Sequence, residues 1–266
     1  MNFILIDGSY FIFYRYHALL LWWKHSHASD PNIETPSESS EFIEKFNSTF
    51  VLKLKEISKK LKISGDTIVI AAKDCSRSTI WRNKYYDKYK ATREKDDILM
   101  VSSFFKSGYD SLFTNGGVDA ILSYPTLEAD DCIAITTKHI LEKYPEANIW
   151  IIASDMDYLQ LASERVKIMT LKYTDLTCSK NSSGDSEKDL FCKIVSGDKS
   201  DNIPAVLPRC GLKTAAKYYN NRVEFEKKLD NTPGAREIFE RNKLIISFDS
   251  IPNHLVEGFR RDCLRL

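Results

Sequence analysis

Asp7 closes the apolar run Phe3-Ile4-Leu5-Ile6, and the same placement of acid after apolar run recurs along the chain. Asp74 follows Thr67–Ala72; Glu128, Asp130 and Asp131 follow Val118–Leu122; Asp155 and Asp157 follow Ile149–Ala153. Asp198 and Asp201 form a further pair, three residues apart, which on a helix would share a face. Carboxylates in such number repel one another, raising their pKa values unless a cation compensates. Oxygen donors without a supporting Cys/His set favour Mg²⁺ or Mn²⁺ over zinc. Two such ions about 3.5–4 Å apart activate a water and stabilise the leaving oxygen of a phosphodiester. The expected cofactor is therefore Mg²⁺, two ions or more, with Mn²⁺ as a substitute. A lone acid after a strand is ordinarily a turn or cap residue, and Glu128 to Asp131 would also suit a plain helix N-terminus. The whole ordered set has no such bland explanation. His25 and His27 lie in a polar stretch and read as ordinary surface residues.

The segment after Asp74 is basic and aromatic. Arg77, Arg82, Lys84, Lys88, Lys90, Arg93 and Lys95 face only Asp87 and Glu94, with Trp81, Tyr85, Tyr86 and Tyr89 interleaved. Cations neutralise phosphates and aromatic faces stack on bases, which suits a single-stranded end. Arg77, Trp81, Arg82, Lys84 and Tyr89 are the expected nucleic-acid contacts, with Lys90 and Arg93 nearest the scissile phosphate as catalytic residues. A second binding element follows the Asp198/Asp201 pair. Gly211, Lys213 and Thr214 stand where a helix begins, and its free backbone N–H groups would cradle a phosphate.

These side chains need a frame. Short β-branched runs (Phe3–Ile6, Thr67–Ala72, Val118–Leu122, Ile149–Ala153, Val166–Thr170) alternate with stretches of helical period, roughly 9–23, 41–60, 97–113, 127–143 and 158–161. That alternation indicates an α/β fold on a mostly parallel sheet, whose strands present their carboxyl ends along one edge. Seven carboxylates from four strand ends would converge there. Residues 24–40 read as an exposed loop, and Asn181–Gly184 as a turn. Beyond Glu187 the pattern is wholly helical, which divides the chain into a catalytic domain, 1–186, and a helical subdomain, 187–266.

Composition is compatible with this. The 266 residues are 43% hydrophobic, enough for one sizeable core, and carry 38 basic against 37 acidic side chains. A near-neutral sum leaves room for acids and bases segregated on separate surfaces. Six scattered cysteines without a C-x-x-C pair predict reduced thiols in a cytoplasmic protein. The longest apolar stretch is far below the roughly 20 residues that span a bilayer, so no membrane role is expected.

Leu5-Ile6-Asp7-Gly8-Ser9, Tyr89-Lys90-Ala91-Thr92-Arg93, Leu127–Asp131, Ser154–Tyr158 and Gly197–Asn202, in this order, resemble the motif series of the flap endonuclease/5′→3′ exonuclease superfamily. Trp81-Arg82 and the stretch Leu244–Pro252 carry a closer likeness to its T-even-type phage ribonuclease H branch. The resemblance runs from Asp7 to about Pro252. It departs where the family's Gly-Ile-Gly hairpin is only partly kept, as Arg209-Cys210-Gly211. It implies a PIN-like catalytic domain, a helical arch over about 77–106, and a helix–three-turn–helix element that grips duplex. The implied activity is hydrolysis of DNA flaps, duplex or RNA/DNA hybrid from the 5′ side, with primer removal during replication as its setting. A single-strand-binding protein, replication machinery and a monomeric state are expected with it. RNA and DNA strands both remain open, since no motif names a 2′-hydroxyl contact. The alternatives are a PIN-type single-stranded RNA ribonuclease, which is typically shorter and lacks the arch, and a non-catalytic nucleic-acid-binding scaffold, which usually shows replaced acids.

Overall fold

A computed structural model describes residues 1–27, 35–92 and 96–264. Five strands, β1 Asn2–Asp7, β2 Thr67–Ala72, β3 Ala120–Leu122, β4 Asn148–Ile152 and β5 Val166–Met169, form one sheet in the order β3-β2-β1-β4-β5, every pair parallel. The chain winds outward from β1 through β2 to β3, then returns to the other side of β1. The reversal point therefore lies between β1 and β4, where open parallel sheets hold their ligands. Asp7 ends β1, and Asp155 stands three residues beyond β4.

Why β1 is an uninterrupted apolar run follows from the layers. Phe3 and Leu5 pack into one core and Ile4 and Ile6 into another, on the opposite face. A strand covered on both faces has no polar alternation to show. The first core includes Ile133 of helix α6 (Ala129–Lys143). The second is dominated by aromatics from α1 (Gly8–Ser26), α2 (Ser40–Lys55) and α4 (Asp96–Ser107). Ser39 caps α2, and the four-residue spacing of Phe42, Phe46, Phe50 and Leu54 puts them in one buried stripe. The short helices α3 (Ile57–Lys60) and α5 (Phe113–Asn115) finish connections on this face, α5 following a π-helical stretch, Gly108–Leu112.

The expected helices thus form, with shifted limits. The first continues to Ser26 and so enters the stretch read as a loop; the second is interrupted at Glu56; the third widens into the π-helical stretch. The fourth starts at Ala129, and the expected helix at 158–161 is a 3₁₀ stretch, Met156–Leu161.

Helices α7 (Ser186–Ser196), α8 (Leu212–Asn220), α9 (Arg222–Asn231) and α10 (Ala235–Ile246) surround a core of their own, built on Phe191, Val195, Leu207 and Phe225. The final helix, α11 (Asn253–Cys263), is different. Its Phe259, with Phe248, Ile251 and Leu264, is buried in the sheet's first core. Among the described residues no helix is long and apolar enough to cross a membrane.

One local departure matters for the site. Asp198 and Asp201 do not share a helix face. Gly197 adopts φ +70°, ending α7, and the following residues turn back so that Asp198 and Ile203 exchange backbone hydrogen bonds at 2.9 and 2.7 Å. A Cβ on Gly197 would collide with the backbone of Ile203 and Pro204. Gly197→Ala should therefore cost about 3 kcal/mol, from left-handed strain plus the clash, and lower the melting temperature by roughly 6–12 °C. Thermal unfolding of the variant measures this. An unchanged midpoint would mean that the turn re-forms without strain.

Candidate metal centre

The strand-end acids are held in place before any ion arrives. Asp7 caps α1, its Oδ1 accepting from the Tyr10 N–H at 2.9 Å and its Oδ2 from the Tyr158 hydroxyl at 2.9 Å. Asp74 accepts from the Ala129 N–H at 2.8 Å and from the Ser9 hydroxyl. Asp130 Oδ1 accepts from the Asp131 N–H, and Asp155 Oδ1 from the Asp157 N–H. Asp198 is fixed inside its turn by the Ser200 N–H and hydroxyl. Such caps and turns orient each carboxylate with backbone groups, which move little.

Two groups emerge: Glu128, Asp130 and Asp131, and Asp157, Asp198 and Asp201, each with carboxylate oxygens within 4.8 Å of one another. Asp74 and Asp155 both act electrostatically on Asp7. Burial, reinforced by Asp74, pushes the Asp7 carboxyl up to about 7. Burial also pushes Asp157 up to about 7, despite an opposing ammonium from Lys193. Asp130 is raised well above the usual range, chiefly by burial, with Asp131 and Glu128 adding repulsion. Oxygen-only donors kept crowded against their own repulsion fit a hard divalent cation.

Asp131 plays another part. It has no exposed surface, and its oxygens accept from Arg82 Nη1 at 2.8 Å, Arg82 Nη2 at 2.7 Å, Trp81 Nε1 at 2.9 Å and the Glu128 N–H at 3.1 Å. Arg82 also donates to Glu128 at 2.9 Å and to the Ile245 carbonyl at 2.7 Å. Arg82 is 2% exposed, and Trp81 and Tyr89 are buried as well. These three were expected on nucleic acid, and the structure corrects that. The 3₁₀ stretch Trp81–Lys84 turns Trp81 and Arg82 inward, where they brace Asp131 and Glu128. Tyr89 turns its hydroxyl to Glu128 (3.1 Å) and Asp201 (3.2 Å). Burial opposes the Arg82 charge, yet Asp131 and its neighbours more than offset this and raise its pKa.

Lys84 is exposed and Arg77 half-buried. Lys90 lies on the acids instead of above them: its Nζ is 2.5 Å from Glu128 Oε1 and 3.8 Å from Asp201 Oδ2. Its backbone, at φ +54°, donates to the Asp201 carbonyl at 2.9 Å. Two further bonds, Asn202 Nδ2 to the Lys88 carbonyl and Tyr86 hydroxyl to the Asn202 carbonyl, tie this segment to the 198–203 turn. Arg93, the other expected catalytic residue, lies outside the described residues, as does part of the expected arch. A cavity of about 530 Å³ beside Asp74 and Glu128 is lined by Phe13, Lys73, Arg77, Lys90 and Tyr109, giving cations and rings in space enough for a nucleotide. Gly211 caps α8 in extended conformation, Lys213 is exposed and Thr214 half-buried, and no acid stands in the first turn.

Sequence reasoning missed Lys193. It sits in the last turn of α7, and its ammonium contacts Asp157 directly, Asp198 Oδ2 at 2.8 Å and Asp155 Oδ1 at 3.8 Å. Lysines recur along the chain, and nothing in its spacing marks this one. Tyr158, which adjoins Asp157, was missed for want of any signal that its hydroxyl faces Asp7.

Two outcomes follow. Arg82→Met leaves Asp131 and Glu128 short of their buried partner and should cost about 3–5 kcal/mol in urea unfolding; a loss below 1 kcal/mol would contradict the bracing role. Asp7 and Asp157, with folded pKa values above their ordinary ones, favour the fold when protonated. Their contribution is complete below about pH 4 and lost as pH rises through about 7. Asp198, lowered to about 2 because Lys193 and Ser200 outweigh its burial, acts oppositely and loses its contribution only as pH falls toward 2. The metal-free protein should therefore melt lower at about pH 8 than at about pH 5, and saturating Mn²⁺ should remove that slope by binding the ionised form. A slope that Mn²⁺ leaves unchanged would detach these acids from metal binding.

Comparison with known proteins agrees with this geometry. The family model described as 5′-3′ exonuclease, N-terminal resolvase-like domain, matches residues 2–189. Ribonuclease H of Enterobacteria phage T4 is 28% identical over 229 residues, covering 75% of this chain and 70% of that protein. The 5′-3′ exonuclease of Bacillus subtilis is 26% identical over 186 residues, 67% of this chain and 60% of the relative. Among solved structures, a bacteriophage T5 flap endonuclease in complex with DNA and metal ions superposes with a TM-score of 0.70 at 19% identity, covering 99% of this chain and 98% of its own. That last likeness is one of fold. With the family model spanning most of the chain, and the acids of every motif gathered at one sheet edge, the chain belongs to the 5′-3′ exonuclease family, within the flap endonuclease/5′→3′ exonuclease superfamily of metal-dependent nucleases.

Proposed function

We propose that this protein hydrolyses phosphodiesters near the 5′ end of flap, duplex or RNA/DNA hybrid substrates, with Mg²⁺ as the working ion, in the removal of primers during replication. The observation that supports this most is the pair of all-carboxylate groups at the sheet's carboxyl edge, both tied to the basic segment after Asp74. The names of the relatives, a ribonuclease H and a 5′-3′ exonuclease, favour the same substrates. A scaffold without catalysis would have no use for acids crowded against their own repulsion.

In this reading Glu128 and Asp130, with Asp7 and Asp74, hold one ion, and Asp157, Asp198 and Asp201, with Asp155, hold the other. Bound ions supply the activated water and neutralise charge on the leaving oxygen. The chain's own groups do the rest. Asp131 holds Glu128 in position through Arg82. Lys90 leaves Glu128 for the phosphate and stabilises the charge that builds on it. Arg77 and Lys84 neutralise neighbouring phosphates. Gly211, Lys213 and Thr214 at the start of α8 hold a duplex phosphate remote from the cut.

The test is cleavage of 5′- and 3′-labelled flap, nicked-duplex and hybrid substrates with Mg²⁺, read by product length. Short 5′ products are expected, and cutting confined to internal sites of single-stranded RNA would replace this reading with the PIN-type ribonuclease. Asp74→Asn, Asp130→Asn and Asp155→Asn should abolish turnover while leaving substrate binding nearly intact. Lys90→Ala should lower the single-turnover rate at saturation by about 10²–10³. Lys213→Ala should instead weaken duplex binding and reduce its salt slope by about 1 without slowing chemistry at saturation. Equal losses of affinity in both lysine variants, with chemistry untouched, would reduce Lys90 to a plain phosphate contact.

A further inference from the structure

Lys193 stands where a cation belongs. Its ammonium is surrounded by three carboxylates from two places in the chain: Asp155 and Asp157 after β4, and Asp198 in the turn after α7. The side chain is 17% exposed, Asp157 is buried, and Asp198 Oδ2 is 2.8 Å away. Oxygens of Asp157 and Asp198 are also the ones that, with Asp201, lie close enough together to share a metal ion. A divalent cation bound through them would stand within a few ångströms of the ammonium. Two positive centres that close, in a site mostly closed to water, repel strongly.

We propose that Lys193 is a built-in counter-ion for the Asp155/Asp157/Asp198 group, and that a divalent cation enters this group only by displacing its ammonium. This rests on the reading of that group as a metal site. The displacement sets the affinity of the second ion: the metal must replace an ion pair already made, whereas a plain carboxylate group would offer uncompensated charge. Once moved aside, the ammonium is close enough to the same edge to meet a substrate phosphate. A bound polyanion then gives the displaced lysine a new partner and strengthens the second ion's binding, as thermodynamic linkage requires. The metal-free fold in turn tolerates its acids because Lys193 compensates them.

The test is calorimetric titration of the metal-free protein with Mn²⁺, comparing wild type, Lys193→Met and Lys193→Arg. Met keeps the stem and removes the charge. The wild type should bind one ion more tightly than the other. In Lys193→Met the weaker ion should bind at least tenfold tighter, and the metal-free melting temperature should fall and recover with Mn²⁺. Lys193→Arg should stay close to wild type. A purely structural lysine would give the opposite sign, with weaker metal binding once it is removed, and that result or an unchanged weaker affinity overturns the proposal. If the wild type binds no Mn²⁺ at all, the metal reading itself falls and takes this inference with it; two ions bound with unaltered affinities in Lys193→Met would sink only the inference. Should Lys193→Met fail to fold, reductive methylation of the wild type serves in its place. Lys193 should be protected without metal and methylated at saturating Mn²⁺, and equal labelling in both states rejects displacement.

Discussion

Like charges gathered at one edge of a sheet form the constraint on which the rest of this structure depends. Parallel strand order brings Asp7, Asp74, the Glu128–Asp131 stretch and the Asp155/Asp157 pair to a common edge, and the turn after α7 adds Asp198 and Asp201. Backbone N–H groups of Tyr10, Ala129 and Ser200 donate to Asp7, Asp74 and Asp198 and offset only part of their repulsion. The burial that makes the sheet stable makes it worse, because desolvation penalises each ionised carboxyl further.

The chain answers with three cations of two kinds. Arg82 is a permanent one: planar, buried and always charged, it makes a two-pronged contact with Asp131 that also fixes the edge of Glu128. Lys90 and Lys193 are flexible point charges resting one on each carboxylate group. A rigid fork suits an acid held in one position, whereas a lysine on a long stem can swing away from its partners. The same division explains why a segment that reads as uniformly basic has an interior and an exterior. Arg82 and Lys84 are two residues apart, yet one is sealed in and the other exposed.

That last point marks where the sequence stops being legible. The strands could be read because a strand buried on both faces is an unbroken apolar run, and Phe3–Ile6 is one. The acids could be read because the sheet's geometry, rather than any contact, decides that strand ends meet. Trp81–Lys84 has no period long enough to say which side turns inward, so its composition points Trp81, Arg82 and Tyr89 at substrate, whereas in the fold they brace acids. The spacing of Asp198 and Asp201 would fit a helical face, but Gly197 ends α7 before either residue is reached. Lys193 could not be found at all without the fold, because its partners lie 36 and 38 residues upstream and five residues downstream.

The last helix returns to where the chain began. Phe248, Ile251, Phe259 and Leu264 are packed with Phe3, Leu5 and Ile133, while the helices before them close around Phe191 and Phe225. The helical portion is therefore an insertion held at both ends by the sheet domain, not an appendage hanging from it. A chain shortened from its carboxyl side would lose part of the sheet's first core before it lost any of α8. Separating the two portions would mean excising the intervening helices and rejoining the ends, and the carboxylates of Asp198 and Asp201 would leave with the excised piece.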